Sequence, residues 1–383
     1  MTPFALAPVP TMAFGAGRID CLGNDVGEIA GDAARVLVVA DPGVSALGIT
    51  ERAVAAIDAA GHTAVVFDDI CSNPKEAQVR AAIDLARSPA AAAVVCVGGG
   101  SALDAGKLIA ALARSNEEVA SFRLAARPLP SSGLPKICIP TTAGTGSETT
   151  AVSVLSDDTG VKYWYWGAAL KAERVVLDPE LTVALPAHLT AATGVDALVH
   201  AIEACTNRNA FAANDVYGLE AIRLVGCHLA TAVAEPGNLE VRGGMLVAAA
   251  FAGIAIDNAG TALAHNIGHA LGGLMPIHHG RAVAIAMAAT LGWNTEGNAA
   301  GFAKVAEALG LGRDPRGLAA WFNSFVRALG IKVSLADETK GVDAAVLARR
   351  MAAPENAAMR AANVRPVTDE DLEFLAGMVL GAE

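Results

Sequence analysis

Ala93-Val94-Val95-Cys96-Val97-Gly98-Gly99-Gly100-Ser101 runs out of a β-branched apolar stretch, through three glycines, and into an alanine-rich segment that continues to Arg114. A short apolar run bounded by glycine reads as a buried strand, and the segment from Ser101 to Arg114 reads as a helix. Glycines at that junction let backbone N–H groups come close to a ligand, and the helix N-terminus favours negative charge. A pyrophosphate suits such a place. Taken alone, a triple glycine is as well explained as a tight strand-to-helix turn, and its spacing is not that of the dinucleotide fingerprint.

The same grammar extends on both sides. Strand-like runs at 35–40, 63–67, 93–97 and 136–140 alternate with helical segments at 50–60, 74–87 and 101–114, and shorter strand-like pieces follow at 152–155, 161–165 and 174–177. Alternation of this kind predicts right-handed crossovers and a parallel sheet covered by helices. From Pro186 onward no strand is expected. Alanine- and leucine-rich stretches at helical period fall at 187–205, 211–232, 238–256, 261–272 and 280–293, before several shorter ones. The expected boundary lies near 180–186. It gives an α/β, Rossmann-like domain over 1–182, whose glycine junction suits a nucleotide, and an all-α domain over 183–383.

Composition excludes several classes. The 383 residues are 53% hydrophobic and 17% charged, which describes a folded chain of about two domains. A net charge of −11, with no basic run, argues against nucleic acid as a partner. The six cysteines contain no C-x-x-C and read as reduced thiols. No positive charge precedes Arg18, prolines interrupt the N-terminal apolar run, and the stretch from Met245 to Ile256 reads as too short to span a bilayer. A cytoplasmic protein without membrane contact is the expectation.

A second loop, Thr141-Thr142-Ala143-Gly144-Thr145-Gly146-Ser147-Glu148, follows the strand ending at Pro140 and offers hydroxyls suited to ribose or phosphate oxygens. Asp41 directly follows the strand 35–40, where a carboxylate can accept hydrogen bonds from an adenosine ribose and repel a 2′-phosphate. Alone, it reads as a turn residue before Pro42-Gly43.

Chemistry concentrates in the second half. His200 lies four residues after Asp196, His265 and His269 repeat that step, and His278 and His279 follow closely. Residues four apart share a helix face, and imidazoles gathered with a carboxylate are ligands for a divalent transition metal. Any one of these histidines is by default structural, but together they make coincidence a poor explanation. Spacing leaves His278 and His279 equally open as the last ligand. His62, His188 and His228 lie outside the constellation.

From Phe14-Gly15-Ala16-Gly17 through Gly98–Lys107, Thr141–Glu148, Asp178-Pro179-Glu180, Gly194–Glu203 and His265–Gly280, the ordered series of segments resembles the iron-dependent (group III) alcohol dehydrogenases. The resemblance implies a metal in a cleft between the two domains, with Asp196, His200, His265 and His279 as ligands. His279 is chosen because Gly280 follows it, as in the family motif. His269 matches a histidine that lies by the nicotinamide and relays protons. Gly98, Gly99, Gly100, Ser101, Thr141 and Thr142 match cofactor-contacting positions, and Asp104 and Thr145 in the same motifs are assigned with them. Lys162 matches a cofactor-proximal lysine, Leu181 an apolar residue on the adenine side, and Asp41 the position that favours NAD over NADP. Iron(II) is the family's metal, and spacing leaves zinc open.

Gly106 stands where the family commonly has alanine, and Ala262 where it often has glycine. The run Tyr163-Trp164-Tyr165-Trp166 is expected to be an alternating strand with one aromatic face inward, or part of a subunit contact. Val152 and Ile256 are the expected apolar walls for a small uncharged alcohol or aldehyde, and a homodimer is the family's assembly. Rival readings are a glycerol dehydrogenase-like or maleylacetate reductase-like enzyme, a dehydroquinate synthase-like lyase, for which no basic phosphate pocket is evident, and a non-catalytic metal- or nucleotide-binding protein.

Overall fold

Short apolar runs, valine-rich at 35–39 and 93–98, build the sheet of the first unit, and its central strands are buried on both faces. In the computed structural model, which describes residues 3–88, 90–335, 338–339 and 341–381, its strands are β1 (Thr11–Phe14), β2 (Arg35–Val39), β3 (Thr63–Phe67), β4 (Ala93–Gly98), β5 (Lys136–Pro140) and β8 (Arg174–Leu177). They form one parallel sheet in the order β1-β8-β5-β4-β2-β3. Every residue of β4 and β5 is buried, as expected for central strands of a helix-covered parallel sheet. The helices of this unit are α1 (Leu22–Ala30), α2 (Pro42–Ala46), α3 (Ile49–Ala59), α4 (Glu76–Arg87) and α5 (Gly100–Leu112). A hairpin of β6 (Val152–Ser156) and β7 (Lys162–Trp166) stands apart as an antiparallel pair.

The sequence did not reveal β1. It is a four-residue edge strand next to a proline-rich stretch, too short to show a period, and its parallel partner β8 lies more than 150 residues later. The chain order reverses between β2 and β4, and open α/β sheets bind ligands at the carboxyl ends of strands at such a switch point. Asp41 follows β2 there, and Gly99-Gly100 follow β4.

The aromatic run forms β7 with its tyrosine face inward. Tyr165 is fully buried, its hydroxyl donates to the Glu76 carboxylate, and Arg123 lies 4.4 Å above the Tyr163 ring. Trp166 on the other face is exposed.

The second unit is helical: α6 (Ala187–Thr206), α7 (Ala212–Ala234), α8 (Leu239–Ala259), α9 (Leu263–Leu274), α10 (His279–Thr295), α11 (Ala299–Ala308), α12 (Leu318–Ala328), α13 (Ala344–Met351), α14 (Ala357–Ala362) and α15 (Asp369–Leu380). Residues 3–7 and Ala143–Gly146 pack with these helices, whereas the rest of residues 8–185 packs with the sheet. The loop Thr141–Glu148 is therefore shared in sequence between the two units.

Alanine dominates α6, which suits both helix propensity and close packing on α7, α8 and α10. Val195, Leu198, Val199 and Ile202 are buried along it, each contributing roughly 1.5–3 kcal/mol before the entropy of ordering is set against it. Helices α7 and α8 are long and apolar enough to cross a membrane by length and composition, which the reading of 245–256 by itself did not anticipate. The apolar window of α8 is 67% buried within the protein, the pattern of a core helix.

Candidate metal centre

Three helices supply the site. Asp196 and His200 stand one turn apart on α6, His265 and His269 one turn apart on α9, and His279 opens α10. Gly280 makes the last placement possible. A Cβ there would meet the carbonyl oxygen of Ala192 at 2.2 Å, so only glycine lets the first turn of α10 rest on the backbone of α6, one turn before Asp196.

Asp196 is the hub. Its Oδ1 lies 3.5 Å from His265 Nε2 and 3.7 Å from His279 Nε2, and its Oδ2 lies 3.9 Å from His200 Nδ1. One ligand atom from each of Asp196, His265 and His279 falls within 4.8 Å of the others. His200 stands outside that closest group, its ring stacked on His265 at 4.3 Å. His269 packs edge-on against His279 at 5.3 Å and so adjoins the cluster without joining it. His278 is the N-cap residue of α10.

These donors fit a divalent ion. Among the described residues, Asp196 Oδ1, His200 Nδ1 and His265 Nε2 are buried without a hydrogen-bond partner, an arrangement a cation would satisfy. Burial raises the Asp196 pKa, but the imidazoles of His200, His279 and His265 around it outweigh burial and hold the carboxyl well below the usual range. Burial pushes His200 down to about 4, against the pull of Asp196, so this ring stays neutral. At His265 burial also opposes the charged form, yet Glu203 and Asp196 prevail and raise it to about 9. The pocket thus attracts positive charge, and one carboxylate with several imidazoles suits iron(II) or zinc.

One residue of this site escaped the sequence reading. Glu203, 4% exposed, lies on the face of α6 that carries Asp196 and His200, and its carboxylate accepts from His265 Nδ1 at 2.7 Å. The signal was its spacing, seven residues after Asp196 and three after His200.

The nucleotide-loop candidates lie as follows. Asp41 caps α2, accepting from the Val44 N–H at 3.0 Å, and its carboxylate also stands against Gly98. The two loops meet where Thr141 N–H donates to the Gly98 carbonyl at 3.0 Å and the Thr142 side chain lies over Gly99. Ser101 donates to the Ser72 carbonyl at 2.7 Å. Asp104 is committed internally, accepting from Ser147 Oγ at 2.5 Å and from Val154 N–H at 2.9 Å. Beside it, fully buried Lys107 donates to the carbonyls of Ser147 and Val152. Thr145 and Lys162 are half-buried, the latter opening β7. Leu181 is buried in the sheet core with Val44 and Ile139.

Of the two wall candidates, Val152 starts β6, and Ile256 packs with Tyr217 beside Ala204, Ala255 and Ala259. His62 is structural, accepting from Ala34 N–H at 3.1 Å with Nε2 3.0 Å from the Gly23 carbonyl.

Comparison with known proteins decides the family. Residues 10–179 match the iron-containing alcohol dehydrogenases, and residues 190–378 match the C-terminal region of the Fe-containing alcohol dehydrogenase family. The chain belongs to the iron-containing alcohol dehydrogenase family. Membership makes it a metal-dependent oxidoreductase of the alcohol/aldehyde type. It is 34% identical over 312 residues to choline dehydrogenase of Bacillus subtilis, covering 80% of this chain and 77% of that protein. It is 37% identical over 286 residues to long-chain-alcohol dehydrogenase 1 of Geobacillus thermodenitrificans, covering 74% and 72%. Among solved structures, sulfoacetaldehyde reductase from Bifidobacterium kashiwanohense in complex with NAD+ aligns with a TM-score of 0.90 at 28% identity, covering 100% of both chains.

Proposed function

We propose that this iron-containing alcohol dehydrogenase family member is an NAD-dependent, iron(II)-activated enzyme of small uncharged alcohols, acting as an aldehyde reductase when NADH is abundant. The observation that carries this is the convergence of His265, His279 and His200 on the Asp196 carboxylate. Asp196 would supply the charge and His200, His265 and His279 the neutral nitrogens that hold the metal. The bound ion supplies Lewis acidity that acidifies an alcohol or polarises an aldehyde, and the nicotinamide carries the hydride. His269, beside His279, moves the proton between substrate oxygen and water.

Gly98, Gly99, Gly100 and Ser101 hold the pyrophosphate at the start of α5, with Thr141, Thr142, Thr145 and Lys162 binding cofactor oxygens. Asp104, with both carboxylate oxygens engaged, serves this loop as its organiser. Asp41 excludes a 2′-phosphate, Leu181 backs the adenine side, and Val152 and Ile256 wall the substrate. The NAD+ complex of the sulfoacetaldehyde reductase supports the cofactor assignment. A cytoplasmic homodimer completes the proposal.

Elemental analysis of anaerobically purified protein, with NADH and NADPH oxidation measured over a panel of short aldehydes, tests it. The expected result is about one iron per chain and turnover preferring NADH. Zinc in place of iron would redirect the metal assignment, and turnover confined to polyols would favour the glycerol dehydrogenase-like alternative.

A further inference from the structure

Three donors converge on the buried carboxylate of Glu203. Oε2 accepts from His265 Nδ1 at 2.7 Å and from the Ala262 N–H at 2.7 Å, and Oε1 accepts from the Ala264 N–H at 2.6 Å. Ala262 is the N-cap residue of α9 and offers no side-chain cap of its own. Glu203 reaches across from α6 to take that role, satisfying two N–H groups that the helix start leaves without intrahelical partners.

We infer that Glu203 is the positioning residue of the metal centre: it holds the His265 ring with Nδ1 donating, which leaves Nε2, turned toward Asp196, as the nitrogen that would bind the ion when the ion displaces its proton. This rests on the ligand assignment proposed above. Histidines that bind metals are commonly oriented by a carboxylate on the other ring nitrogen. The geometry makes one helix, α6, supply two metal donors and fix a third that belongs to α9.

Both carboxylate oxygens accept hydrogen bonds, so a glutamine would leave one of these contacts mismatched. With its oxygen on Ala262 N–H and His265, a glutamine would point its NH2 at the Ala264 N–H. Turned over, it would donate to His265 Nδ1 and place the ring proton on Nε2, where it blocks ligation.

The test compares wild type, Glu203→Gln and His265→Ala by Zn2+ affinity in chelator competition and by melting of the metal-free proteins. Glu203→Gln should weaken Zn2+ binding by about 10–100-fold. Binding within threefold of wild type, together with a lowered melting temperature of the metal-free protein, would show Glu203 to be a helix cap only and overturn the inference. A third measurement needs no variant: nitrogen-15 NMR of the histidine rings in Zn2+-loaded wild type should place the His265 proton on Nδ1. A proton on Nε2 would overturn the inference even if Glu203→Gln does not fold. Failure of wild type to bind Zn2+, or unchanged binding in His265→Ala, would instead overturn the ligand assignment itself.

Discussion

Gly106 and Cys96 make a pair that only the fold brings together. A Cβ at position 106 would stand 2.3 Å from Cys96 Sγ and 2.9 Å from Cys96 Cβ, so the glycine on α5 accommodates the thiol on β4. In the sequence the position is visible only as a departure from the family's common alanine, because nothing local says which strand residue the helix will face. Gly106→Ala is expected to destabilise the protein by about 1–3 kcal/mol through overpacking, despite alanine's better helix propensity. Cys96→Ala in the same chain should recover part of the loss, since the thiol goes and the Cβ remains. Urea midpoints of the two single variants and the double variant measure this, and additive losses would contradict it. Asp41 also belongs to this scale. Its carboxylate would repel a 2′-phosphate, so Asp41→Ser should shift the NADP/NAD ratio of kcat/KM by about 10–100-fold toward NADP. An unchanged ratio would leave Asp41 only its visible role as the cap of α2.

The loop Thr141–Glu148 is an element whose far end is tied down by polar side chains of α5. Lys107 and Asp104 on α5 fasten Ser147, Val152 and Val154, which explains why charged residues sit in so apolar a helix. Glu148 at the end of that loop is buried, and its Oε1 finds no hydrogen-bond partner among the described residues. Burial raises its pKa from 4.5 to about 7. The raised value means that the folded state holds the proton more tightly than the unfolded chain. Its stabilising contribution is then complete below 4.5 and is lost as pH rises through about 7. Relative to Glu148→Gln, the wild type should lose stability across that window, read as the difference between their urea midpoints. Parallel midpoints at every pH would contradict the shift.

Elements with a strong local signal were legible: the valine runs that became β2 and β4, the Ile-Cys-Ile run of β5, and the alanine-rich α6. Edge strand β1 was not, being short and dependent on a distant partner. Nor was the packing of Ala143–Gly146 with the helical unit, which depends on long-range contacts that a loop's sequence does not announce.

Across the whole molecule, the candidate site was half visible. The four-residue steps of Asp196–His200 and His265–His269 could be read directly. That the start of α10 would bring His279 to Asp196 required Gly280 to rest on Ala192, a contact between segments nearly 90 residues apart. Metal held by three helices should stabilise the helical unit by linkage, about 2.7 kcal/mol at a free-ion concentration 100 times Kd. A chelator should therefore lower the melting temperature of wild type and leave His265→Ala unmoved, and equal shifts in both would argue against a specific ion.

The most direct test is an anaerobic titration of iron(II) into metal-free protein, following NADH oxidation with short aldehydes. Turnover should rise with iron to saturation near one ion per chain, and His265→Ala and Asp196→Asn should stay inactive throughout. Full turnover without metal, or no turnover by a protein that binds both iron and NADH, would contradict the assignment of Asp196 and its histidines as the catalytic metal site.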